Sequence, residues 1–163
     1  DKGVSGIVVY AKTKQMAALL ASAREEQLLH KEYLAIVKGK FEEQSGTLTY
    51  TLGKEKGIRG RSVTVDGQNC ITNYEVIIEG NFFSLIKVHI ETGRLHQIRA
   101  GMAYFGHPLI GDRLYGGSMH AMKRPALHCW KVEFIHPKTK KQIKIECKLP
   151  DDMQKVVDKL QEK

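Results

Sequence analysis

Lys31-Glu32-Tyr33-Leu34-Ala35-Ile36-Val37-Lys38-Gly39 is the stretch that decides the fold class. Tyr33, Ala35 and Val37 alternate with Leu34, Ile36 and Lys38, the two-residue period of a pleated strand, so Glu32–Lys38 is expected to be a strand with one face well buried. Upstream, the β-branched run Ile7-Val8-Val9-Tyr10-Ala11 predicts a buried strand. Thr13 is placed to cap a helix in which Met16, Leu19, Leu20 and Ala23 share one face. Downstream, Gly46–Leu52, Ser62–Val65, Thr72–Ile78 and Phe82–Ile90 read as further strands, with Asp66-Gly67 and Gly80-Asn81 as turns. Arg94–Phe105 has helical spacing, with Leu95, Ile98, Met102 and Phe105 on one side, and Gly106-His107-Pro108 stops it. Ala126–Ile135 and Gln142–Cys147 predict a closing hairpin, and Pro150 opens a final helix with Asp151 and Asp152 in its first turn. No repeat or linker interrupts the 163 residues. The expectation is one α+β domain over 1–163, a mixed, mainly antiparallel β-sheet with a few flanking helices.

Lys and Arg number 26 against 18 Asp and Glu, a net charge of +8. That excess raises the prior for a polyanionic partner. A hydrophobic fraction of 42% suffices for one core. No apolar run approaches the ~20 residues of a membrane span, and no secretory leader is apparent. Three widely spaced cysteines, Cys70, Cys129 and Cys147, with no CxxC, argue against a disulfide framework or zinc knuckle and for a reducing, cytoplasmic compartment. The chain opens on Asp1 and enters a strand pattern within six residues, so it reads as lacking an N-terminal portion.

Nucleotide-loop, zinc-protease and serine-hydrolase motifs are all absent. The densest polar cluster is Glu91-Thr92-Gly93-Arg94-Leu95-His96-Gln97-Ile98-Arg99. It reads either as an anion site at a helix start, with Arg94, or as a helix with a solvated basic face. Gly106–Gly116 carries turn formers around Asp112 and Tyr115 and is expected to be a tight, packed loop. Cys129, in a strand pattern, is expected to be a buried, inert thiol. The glycine-punctuated segment Gly53–Ser62 presents Lys54, Lys56, Arg59 and Arg61, either to a nucleic-acid backbone or only to solvent.

Five ordered segments resemble the RluA-type pseudouridine synthases. Asp1-Lys2-Gly3-Val4-Ser5-Gly6, an apolar run and Ala11-Lys12-Thr13 are similar to the family's first motif. Lys31–Gly39, Thr92–Arg99, Gly106–Gly116 and Arg124–Pro137 are similar to the later ones. The chain departs where the family usually has a Val-His pair and here stands Ala100-Gly101. The resemblance implies the pseudouridine synthase catalytic fold and a cofactor-free, metal-free isomerisation of uridine in rRNA or tRNA; the chain is expected to be a monomer. The uracil N1–C1′ bond breaks, the base turns, and it rejoins through C5. By the same resemblance Asp1 is the catalytic aspartate, as nucleophile or as base. Tyr33 stacks on the target base, Arg99 pairs with the aspartate, and Ile98 lines the pocket. His96 and Arg94 contact substrate. A chain without its N-terminal portion leaves a second expectation open, a non-catalytic RNA-binding fragment.

Overall fold

In a computed structural model, which describes residues 1–162, eight strands form one sheet. In chain order the elements are β1 (Ser5–Gly6), α1 (Lys14–Glu25), β2 (His30–Lys38), β3 (Ser45–Gly53), β4 (Ser62–Val63), β5 (Gln68–Glu79), β6 (Phe83–Ile90), α2 (Gln97–Tyr104), a single 3₁₀ turn (Arg113–Tyr115), β7 (Leu127–Ile135), β8 (Gln142–Glu146) and α3 (Asp151–Gln161). The strand order is β1-β7-β2-β6-β5-β3-β4. All pairings are antiparallel except β1 with β7, and β8 pairs with β7 beyond the point where β1 stops.

The alternation in β2 sorts side chains onto the two faces of the sheet. Ala35 and Val37 join Ile86, Val88, Ile98, Met102 and Leu109 on the α2 side, with Tyr33 packed against them. Ile36 joins Leu85, Ile110, Met153, Val156 and Val157 on the α3 side, with Leu34 beside it. Both faces are therefore covered, not one. The reason is that α2 and α3 close on the sheet from opposite sides, each bringing an apolar stripe, at about 1.5–3 kcal/mol for each large side chain removed from water.

Two further expectations need correction. Ile7–Ala11 is not a strand. Pairing stops at Gly6 and the Ile7 amide bond to the Cys129 carbonyl, and Val8 and Tyr10 lie exposed. The first helix is capped as expected, Thr13 Oγ1 accepting from the Met16 amide at 3.1 Å. Its apolar face is only half-buried, however, and none of its residues is buried. The second helix starts at Gln97, not Arg94. His96 sits at φ 58°, a left-handed conformation that cannot lie inside a helix, and Leu95 is consequently exposed.

The Ala100-Gly101 departure has a packing cause. Tyr50 Oη donates to the Gln97 carbonyl at 2.8 Å and lies 2.9 Å from Thr72 Oγ1. It fills the space a Cβ on Gly101 would need. Gly101→Ala is expected to lower stability by about 1–3 kcal/mol through overpacking. Thermal unfolding checks this, and an unchanged melting temperature would refute it.

Candidate active site

Asp1 is delivered by a turn and a short strand. The Val4 amide donates to the Asp1 carbonyl at 3.3 Å, and Gly3 takes φ 83° as the third residue of that turn. Gly6, at φ 115°, lies so close to the Cys129 backbone that no Cβ fits. Arg124 clamps the segment from the other side. It donates to the Gly3 carbonyl at 3.0 Å and to Ser5 Oγ at 3.3 Å, and bidentately to Asp152 of α3 at 2.7 and 2.9 Å. The guanidinium holds the Asp152 carboxyl below the ordinary carboxylate range.

The loop before α2 faces Asp1. Thr92 Oγ1 donates to Gln97 Oε1 at 2.8 Å and accepts from the Ile71 amide at 3.0 Å. Gln97 Oε1 also accepts from the Arg94 amide at 3.0 Å, while its Nε2 donates to the Ile71 carbonyl and Thr72 Oγ1. Thr92 and Gln97 thus brace the loop, and His96 and Arg99 face the carboxylate. Arg99 Nη1 stands 3.6 Å from Asp1 Oδ2, and His96 Nε2 stands 3.9 Å from Asp1 Oδ1. The Asp1 side chain is 17% exposed.

Arg99 has a closer partner than Asp1. Its Nε and Nη2 donate to both oxygens of Asp112 at 2.7 and 2.9 Å. Asp112 is 1% exposed and Arg99 7%. The guanidinium also lies over the Tyr115 ring, 5.2 Å from its centre. Asp112 and Tyr115, expected only to pack a loop, are therefore part of the constellation around Asp1. A carboxylate amid Leu109, Ile110 and Leu114 is the available hint in the sequence, since a charge in apolar company needs a partner.

Tyr33 and Ile98 pack in the same cluster as Val4, which closes the turn that Asp1 opens. Burial and then Cys129 push the Tyr33 phenol up to about 12, so it stays protonated at neutral pH. A cavity of about 320 Å³ beside Arg99 and Asp112 is lined by the cations Lys2, Arg113 and Lys123 among others.

Arg94 does not sit at a helix start. Its Nε donates to the Asn69 carbonyl at 3.1 Å, and it lines a second cavity, of about 250 Å³, with Lys54 and Arg61. Lys54 reaches back to the Ile58 and Gly60 carbonyls at 3.0 and 3.4 Å, stapling the basic loop. Lys56 and Arg59 are exposed. Cys129 is buried with its thiol pushed up by that burial, as an inert cysteine should be. Among the described residues no cluster of His, Cys, Asp or Glu is arranged to hold a metal ion, and no helix is long and apolar enough to cross a membrane.

The mixed sheet carries a turn-held aspartate facing an arginine at 3.6 Å, and sequence comparison supplies the class. The RNA pseudouridylate synthase family model matches residues 1–104. The chain belongs to the RNA pseudouridine synthase family. It is 38% identical to the uncharacterized RNA pseudouridine synthase YjbO of Bacillus subtilis, over 96% of this chain and 56% of that protein. It is 31% identical to the ribosomal large subunit pseudouridine synthase D of Xanthomonas campestris, over 99% of this chain and 53% of that protein. The chain thus spans about half the length of the curated relatives it matches. The solved human RNA pseudouridylate synthase domain containing 4 shares the fold, with a TM-score of 0.79 at 20% identity, over 98% of this chain and 73% of that one.

Proposed function

We propose that residues 1–163 are the catalytic domain of a cytoplasmic RNA pseudouridine synthase that isomerises uridine without a cofactor. The observation that carries this reading is the Asp1 carboxylate held 3.6 Å from the Arg99 guanidinium and 17% exposed. The relative whose name specifies the ribosomal large subunit points to rRNA as the substrate.

A target uridine leaves its stack at a cost of a few kcal/mol. The Tyr33 ring, beside Ile98, recovers about 1–3 kcal/mol by stacking. Asp1, faced by the Arg99 guanidinium, either attacks C1′ or takes a proton from the sugar. Either route breaks the N1–C1′ bond. The free base turns, and C5 bonds to C1′ as the Asp1–C1′ ester breaks or, on the other route, as Asp1 returns the proton to the sugar; the C5 proton then leaves to solvent while N1 gains one.

Loss of that C5 hydrogen is the assay. With large-subunit rRNA carrying tritium at uridine C5, the protein is expected to release tritium to water, with Asp1→Asn as the control. RNA retention without release would support the binding-fragment reading instead.

Lys54, Lys56, Arg59, Arg61 and Arg94 are assigned to the RNA backbone. Replacing the four loop cations with alanine is expected to weaken RNA binding. The slope of log affinity against log salt should fall by roughly 3, at about 0.7 for each phosphate of a single strand that is no longer neutralised. Filter binding across a salt series checks this. An unchanged slope would mean that the loop faces only solvent.

A further inference from the structure

Tyr115 Oη makes two contacts: the Arg61 backbone amide at 2.9 Å and His96 Nδ1 at 2.7 Å. The amide can only donate, so Tyr115 accepts there. The phenol hydrogen then has one acceptor left, His96 Nδ1. The alternative, a hydrogen on Nδ1 pointing at Tyr115, leaves the phenol O–H without an acceptor in a half-buried site. An Nδ1 that accepts places the hydrogen of the neutral imidazole on Nε2, and Nε2 is the atom that faces Asp1 Oδ1 at 3.9 Å.

We propose that Tyr115 is a positioning residue that fixes the proton of His96 on Nε2, so that a neutral imidazole presents its N–H to the Asp1 carboxylate. The chain of contacts runs from the Arg61 amide through Tyr115 and His96 to Asp1. It therefore ties the placement of the basic loop to the charge environment of the carboxylate. The part that concerns Asp1 catalysis rests on the proposed function; the tautomer does not.

Three further observations support it. The Tyr115 hydroxyl has a fixed seat, since a Cβ on Gly60 would overlap it and Gly60 takes φ 80°. The His96 and Tyr115 rings meet edge to face at 88°, which restrains the imidazole. Burial and then the Arg99 cation push the His96 pKa down, against the opposing Asp112 carboxylate and with the α-ammonium of residue 1 and Arg61 adding to the fall, so the ring is neutral at pH 7. A neutral donor supports an ionised carboxylate without adding a second full cation beside Arg99. The 3.9 Å separation is an electrostatic contact, longer than a hydrogen bond.

The test is nitrogen NMR of the protein labelled with ¹⁵N in histidine, at pH 7, with tritium-release kinetics in parallel. The wild type should show His96 protonated on Nε2 alone. In Tyr115→Phe the tautomer should shift toward a mixture, and kcat should fall about 2–10-fold, the effect of one hydrogen bond, with KM for RNA little changed. A wild-type His96 protonated on Nδ1, or on both nitrogens, overturns the proposal even if the variant does not fold. So does a folded Tyr115→Phe that keeps the Nε2 tautomer. A shifted tautomer with unchanged kcat overturns the coupling to Asp1. A wild type with the Nε2 tautomer but no tritium release on any RNA overturns the activity reading and leaves the tautomer standing.

Discussion

Asp1→Asn is expected to lower tritium release by about 10³-fold or more while moving the melting temperature by no more than a few degrees. The amide keeps the size of the carboxylate. It removes the charge and the electron pair that either attack on C1′ or proton abstraction requires. The fold should tolerate the change for a geometric reason. Arg99 reaches Asp1 only at 3.6 Å, whereas it is held by Asp112 at 2.7 and 2.9 Å, so its orientation survives the substitution. Release within tenfold of wild type would show that the carboxylate is not the reacting group.

Asp112→Ala reverses that pattern, with the expected effect on stability first. Removing the carboxylate strands a guanidinium that is 7% exposed, with only the more distant Asp1 to compensate. Breaking a buried pair from one side costs about 3–5 kcal/mol, or roughly 6–20 °C in melting temperature for a chain of this size. Activity should fall as well, because an unpinned Arg99 is free to collapse onto Asp1 and close the space a ribose needs. Asp112→Asn keeps one acceptor oxygen and should recover part of the stability. Urea unfolding measures both variants. A decrease below about 1 kcal/mol for the alanine would mean that the pair is solvated and carries little.

Much of the sheet is legible in the sequence because alternation is a local signal. β2, β3 and β6 fall within a residue or two of where the period places them, and the Thr13 cap and the closing hairpin follow from capping and turn chemistry. Ile7–Ala11 misleads because β-branched residues favour extended backbone whether or not a neighbouring strand is there to pair with them. Arg94–Leu95 misleads because helical spacing cannot register a single left-handed residue, His96, at the junction. Asp1, Tyr33, Ile98 and Arg99 are reached only through resemblance, since Asp1 and Arg99 stand at opposite ends of the first hundred residues and no spacing rule links them. Asp112 and Tyr115 look like packing residues because a glycine-rich loop conceals its polar contacts. What makes them notable is that they converge on Arg99 and His96, which is a property of the folded chain.

The Arg124 clamp bears on when the site exists at all. Arg124 joins Gly3 and Ser5 to Asp152, so the turn that aims Asp1 is latched by the last helix across contacts spanning 121 and 28 positions. Contacts of that span are entropically slow to close, which makes α3 with its latch a natural unit of sub-global opening. An excursion of α3 from the sheet is expected to take Asp152 from Arg124 and leave the turn held by Arg124 and the β1–β7 pairing alone. The aim of Asp1 is then expected to loosen with the breathing of a helix on the opposite face of the sheet, and amide exchange along residues 153–160 would time it.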